Sequence, residues 1–135
     1  MSLDLDRVIY LSTATGSTGS LLNMVAILAE SQRNNERDGL TGALAAHDER
    51  FIQVLEGPRQ TLDGLLRRLG KDPRHKDITI IDRQLIDERL FTGWAMANAR
   101  FSPDKARGLA KLVRVSGAPS AEILQLMRDA VGAAT

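Results

Sequence analysis

Three polar side chains, on three separate elements, stand where periodicity expects apolar ones. In the run FIQVLEG, Phe51, Gln53 and Leu55 share one face of a strand, which puts a carboxamide between two large apolar neighbours. Left unpaired in a core, such a group costs on the order of 1–3 kcal/mol, so something must bond to it. Asn35 follows Leu28 by seven residues and Leu21 by fourteen, extending the inward stripe of a helix. Tyr10 shares a strand face with Val8 and Ser12, and a buried tyrosine hydroxyl usually finds a partner. Each position also has an ordinary explanation. Asn35 fits a helix C-cap, Gln53 a bond to nearby backbone, and Tyr10 a core tyrosine bonded to any carbonyl. A planar heterocycle with ring nitrogens and carbonyls would satisfy all three together.

The elements that must position these groups are legible in the periodicity. Arg7 to Ser12 is a short β-rich run, closed by the Thr/Gly/Ser cluster Thr13 to Ser20. Leu21, Met24, Val25, Ile27 and Leu28 form a helical stripe that should fade near Asn34 to Arg37, before the turn signal Asp38-Gly39. Leu40 to Ala46 and Phe51 to Glu56 read as a β-hairpin across His47 to Arg50, and Gly57-Pro58 is expected to break its second strand. Leu62, Leu65, Leu66 and Leu69 give a second helix, stopped by Pro73. Ile78 to Ile81 and Trp94 to Phe101 read as strands. A helix should open at Ser102-Pro103-Asp104 and run to about Arg114, and a last one fits Ala121 to Val131.

That order predicts an α+β fold, a ferredoxin-like βαββαββ sandwich. Two helices would lie on one sheet face and the C-terminal helices would cover the other. The expected division is a core over 1–101 and a helical extension, 102–135, within the same domain. The apolar positions of the last helix (Ile123, Leu124, Leu126, Met127, Val131) fit a sheet cover and equally an interface.

Composition narrows the function classes. At 135 residues the chain is one domain by length, with 43% hydrophobic and 26% charged residues. A formal net charge of +1 gives no electrostatic reason to expect nucleic acid or an anionic membrane as partner. No stretch approaches the roughly 18 unbroken apolar residues of a membrane span. The start MSLDLDRVIY is acidic where a signal peptide is basic, so the chain reads as cytoplasmic. With no cysteine, disulfides, thiolate metal sites and cysteine nucleophiles are all absent, and no metal site is expected. Thr13 to Ser20 has the composition of a phosphate cradle but not the G-x-G-x-x-G spacing, and reads as a connection.

Several motifs resemble the BLUF domains, blue-light sensors that use a flavin. SQRNNERDGLTG (Ser31 to Gly42), FIQVLEG (Phe51 to Gly57), KDPRH (Lys71 to His75) and WAM (Trp94 to Met96) occur in that family's order and near its spacing, together with a tyrosine on the first strand. The resemblance runs from about Arg7 to Arg100. It implies FAD, with FMN or riboflavin able to replace it, held between the two helices. By similarity Gln53 lies between the flavin and Tyr10, and Asn35 bonds the pyrimidine side of the ring. Asn34, Arg68 and Asp72 match positions that help hold the cofactor. Ile27 and Leu69 match the apolar residues on the two ring faces, with Ser31 and His75 close by. AAHDER (Ala45 to Arg50) is more polar than the family's usual hairpin. Arg68 fits a solvated helix face equally well, and Arg74 and His75 fit a loop.

Composition bears on the photochemistry as well. Without cysteine no cysteinyl adduct to the ring forms, and a single tryptophan makes no tryptophan electron-transfer chain. A nearby phenol remains as donor, and Tyr10 is the sole tyrosine. The resemblance implies that Tyr10 gives an electron and a proton to the excited flavin, that Gln53 relays or rearranges, and that the pair recombines. An amide has a donor end and an acceptor end, so its rotation or tautomerisation alters what the flavin carbonyl meets without net chemistry. The expected protein is a switch and not an enzyme. Trp94 and Met96 are two apart, so on a strand they share a face and can compete for the space beside Gln53; the sequence leaves open which of them lies there, with plain core packing as the ordinary reading of both. With no effector domain after Thr135, output is expected in trans, through a homo-oligomer or an unknown downstream protein. The rival readings are a degenerate, flavin-free interaction domain and an acylphosphatase-like hydrolase. A sheet-surface RNA binder would want more aromatics than three Phe, one Tyr and one Trp.

Overall fold

The computed structural model of the protein describes residues 4–14, 21–47, 50–71, 75–92, 97–98, 107–108 and 120–133, with backbone alone at 14, 21–28, 46–47, 50, 75–77, 97–98, 120 and 131–133. The elements are β1 (Leu5–Ala14), α1 (Leu21–Asp38), β2 (Thr41–His47), β3 (Arg50–Pro58), α2 (Arg59–Leu69), β4 (His75–Ile86), β5 (Ala97–Asn98) and α3 (Ser120–Ala133). They form one sheet in the order β4-β1-β3-β2-β5. Its first four strands are antiparallel to their neighbours, and β5 runs parallel to β2 at the edge. β3 separates β1 from β2, and β1 separates β3 from β4. These are the two interleaved split βαβ units of a ferredoxin-like fold, as expected.

Strand alternation sorts the apolar residues into two buried layers. Val8, Tyr10, Leu44, Phe51 and Leu55 form one with Leu40 and Leu62 of α2, and Leu65, Leu66, Leu69 and Ile78 pack against it. Ile9, Ala43, Ala45, Ile52 and Val54 form the other with Phe91 and with Ile123, Leu124, Met127 and Ala130 of α3. Each large side chain so buried contributes about 1.5–3 kcal/mol. The apolar stripe of the last helix therefore covers the sheet, with Leu126 half-buried against the same layer.

Two expectations need correction. Gly57-Pro58 does not break β3, which stays in register with β1 through Asp6↔Gly57 and Leu5↔Pro58. β2 ends its pairing at Thr41↔Glu56, so a proline at position 58 removes no ladder bond to β2. β4 is also far longer than Ile78 to Ile81. It spans 12 residues and pairs along the length of β1, with register shifts between Ile9/Tyr10 and Leu11/Thr13. The shifts break the alternation that would have revealed it, and the polar tail of β4 is held by ion pairs. Arg83 Nε bonds the buried Asp6 carboxylate at 2.9 Å, and Arg83 also pairs with Asp63 of α2 at 2.8 Å. Of the expected strand Trp94 to Phe101, β5 is the described part. The expected helix over 102–114 lies outside the described residues except for Arg107 and Gly108, which are helical.

Candidate functional site

The site is built outward from the centre of the sheet. Tyr10 on β1 and Gln53 on β3 are register partners, and Leu44 on β2 is the partner of Gln53 on its other side. Directly opposed side chains stand about 4.5–5.5 Å apart at Cβ and point to the same face. That face is the one beneath α2. Tyr10 is 1% exposed and Gln53 4%. Burial pushes the Tyr10 phenol well above its ordinary pKa, so it is a neutral hydroxyl with its proton in place. Ser12, next on the same face, is buried too, opposite Phe51.

Asn35 reaches the core from α1 and is 2% exposed. It is not the cap of its helix. α1 runs on to Asp38, and Gly39 takes the left-handed position after it with φ 73°. Leu40 N–H then donates to the Asn35 carbonyl at 2.8 Å and Gly39 N–H to the Glu36 carbonyl at 3.4 Å, a Schellman closure. The Asp38-Gly39 turn thus pins the last turn of α1, with Leu40 buried just beyond it. A Cβ at Gly42 would run into the Val54 carbonyl, so the DGLTG stretch must pass close against β3.

At the rim, Arg68 is largely exposed and bonds Asp38 at 3.4 Å, which ties α2 to the end of α1. Arg37 bonds the same carboxylate at 3.0 Å. That hydrogen bond holds Asp38 below the usual carboxylate range, and the charge of Arg68 adds to the effect. Leu69 is half-buried against the Tyr10 layer. Ser31 and Asn34 are half-buried on α1. The structure therefore brings Tyr10 and Gln53 side by side, and places Asn35 and Leu69 in the same helical layer. The side chain of Ile27 lies outside the described residues, as do Asp72, Trp94 and Met96. His75 is described as backbone only, opposite Ala14 at the start of β4.

The donor set suits a flavin. An isoalloxazine edge carries two carbonyls, an imide N–H and a ring nitrogen, and two carboxamides with a phenol complement such an edge with both donors and acceptors. The leucines of α2 add apolar surface over the same layer.

The profile of the BLUF family, described as sensors of blue-light using FAD, matches residues 5–97. The chain belongs to the BLUF family. It is 33% identical over 96 residues to a photoactivated adenylate cyclase subunit beta of Euglena gracilis, a match covering 70% of this chain and 11% of that protein. Among solved structures it resembles BlrB, a BLUF protein in its dark state, with a TM-score of 0.76, 29% identity and full coverage of both chains. It also resembles Klebsiella pneumoniae BlrP1 with FMN and cyclic diGMP, with a TM-score of 0.69 and 27% identity, over 95% of this chain and 34% of that one. This BLUF chain thus carries the family's blue-light, flavin-using sensor fold. No helix among the described residues is long and apolar enough to cross a membrane.

One buried group escaped the periodicity argument. Glu56 is fully buried, on the face opposite Gln53, where its carboxylate takes Arg7 Nε at 2.8 Å and Phe91 N–H at 2.8 Å. The signal was available. A lone acid ends the apolar run of β3, opposite an arginine on β1.

Proposed function

We propose that this BLUF protein is a blue-light photoreceptor that holds its flavin non-covalently between α1 and α2 and signals by rearranging hydrogen bonds around Gln53. The observation that carries this reading is the direct opposition of Tyr10 and Gln53, both buried on the helix-covered face. Asn35 would bond the pyrimidine edge, and Leu69 and Ile27 would flank the ring. Ser31, Asn34, Arg68, Asp72 and His75 would secure the rest of the cofactor. FAD is the expected form, and FMN or riboflavin shares the ring these residues contact.

A bound flavin supplies the visible absorption and an excited state that accepts an electron. Tyr10 would be the group that gives up, and then recovers, an electron and its hydroxyl proton, so the cycle would have no net reaction. In the interval the Gln53 carboxamide turns or tautomerises. It would then offer its opposite end to a bound ring, and that hydrogen-bond change would be the signal. No substrate is turned over. Trp94 and Met96, which precede β5 in the sequence, would carry the change toward the C-terminal helices and to a partner in trans, a second copy included.

The test is an absorption spectrum of the purified protein before and after blue light. A flavin spectrum that moves slightly to the red and returns in darkness is the expected result. A protein that stays colourless after reconstitution with FAD would exclude this function.

A further inference from the structure

Among the described residues, the Glu56 carboxylate meets three donors and no acceptor. Its carboxylate accepts Arg7 Nε at 2.8 Å, Leu90 N–H at 2.9 and 3.0 Å through its two oxygens, and Phe91 N–H at 2.8 Å. A fully buried acid so placed fastens the segment that follows β4 onto the end of β3. Arg89 reinforces the hold from the same segment. It donates to the Gly39 carbonyl at 2.8 Å, the Thr41 hydroxyl at 3.1 Å and the Glu56 carbonyl at 3.2 Å. Phe91, held directly by the carboxylate, is fully buried in the same layer as Ile123 and Met127 of α3. β3 therefore carries Gln53 on one face and, three residues on, a pin for the seat of α3 on the other.

We propose that Glu56 is a positioning residue for signal output: it couples movement of β3 at Gln53 to the packing of Phe91 beneath α3. This rests on the photoreceptor reading above. The described groups that face the carboxylate are all donors, so the position calls for an acceptor. A glutamine of the same shape keeps one carbonyl oxygen but turns an NH2 toward a donor, so it breaks the pin while preserving volume. A bistable contact that both ends bias is the physical requirement for such coupling.

The experiment uses the full chain with its flavin, as wild type and Glu56→Gln. The light-induced red shift is measured alongside hydrogen exchange of 89–92 and 120–133, in darkness and under blue light. In wild type, light should change exchange of both segments together. Glu56→Gln should keep the flavin and a red shift of the same size. Its Leu90 and Phe91 amides should exchange at least about tenfold faster in darkness, and its light-minus-dark difference on α3 should vanish. A variant that shifts to the red and retains the full α3 difference would overturn the coupling while leaving the photoreceptor reading intact. A wild type with no red shift would remove both. Should Glu56→Gln not fold, wild type still decides: light that alters α3 while leaving the Phe91 amide unchanged overturns the proposal.

Discussion

Tyr10 on β1 lies directly opposite Gln53 on β3, with both side chains buried under the helices. The pairing is set by backbone register, not by flexible contact. The central strands hold a phenol and a carboxamide as neighbours whatever the loops around them do. A one-residue slip of β3 would carry Gln53 to the opposite face and end the relationship.

Tyr10→Phe removes the donor hydroxyl while keeping the ring that fills the layer. The variant should stay yellow and lose the red shift under blue light, with stability changed by about 1 kcal/mol. An undiminished shift would refute Tyr10 as donor.

Gln53→Ala should likewise retain flavin and lose the shift. It also leaves a small cavity beside Phe51 and Leu55, so a drop of about 1–3 kcal/mol in unfolding free energy is expected by denaturant titration. A normal photocycle in this variant would exclude the amide switch.

Asn35→Ala should weaken flavin retention by about tenfold, the loss of roughly one hydrogen bond to the ring, read as flavin lost on dilution or dialysis. Unchanged retention would place Asn35 among structural residues only.

Gly39→Ala strains the left-handed residue that closes α1 and should destabilise the fold by about 1–2 kcal/mol, seen in a thermal melt. Because the same closure fixes the turn bearing Asn35, flavin retention should fall with it. A melt unchanged from wild type would contradict the closure.

The raised phenol pKa has a clean readout, since Tyr10 is the sole tyrosine. Folding favours the neutral phenol, so its contribution to stability is fully present below the ordinary value of about 10 and is lost as pH rises above it. Phenolate absorbance should therefore stay absent past pH of about 10 and emerge with unfolding. A simple titration near that value in the folded protein would show the hydroxyl to be solvated.

Local pattern determined much of this protein. Period-two alternation was enough to place Tyr10 with Val8, and Gln53 with Phe51 and Leu55. Helical spacing was enough to turn Asn35 inward, because side-chain direction follows from backbone geometry within a few residues. Tertiary structure decided the rest. Register alone made Tyr10 and Gln53 partners across 43 residues of chain. The register shifts against β1 hid the true length of β4, whose Arg83 is stable in a strand because Asp6 and Asp63 lie across from it in space. Glu56 was visible as an acid at the end of an apolar strand. Its three donors come from β1 and from the segment after β4, and only folding brings them together, since hydrogen bonds form between neighbours in space and not in sequence.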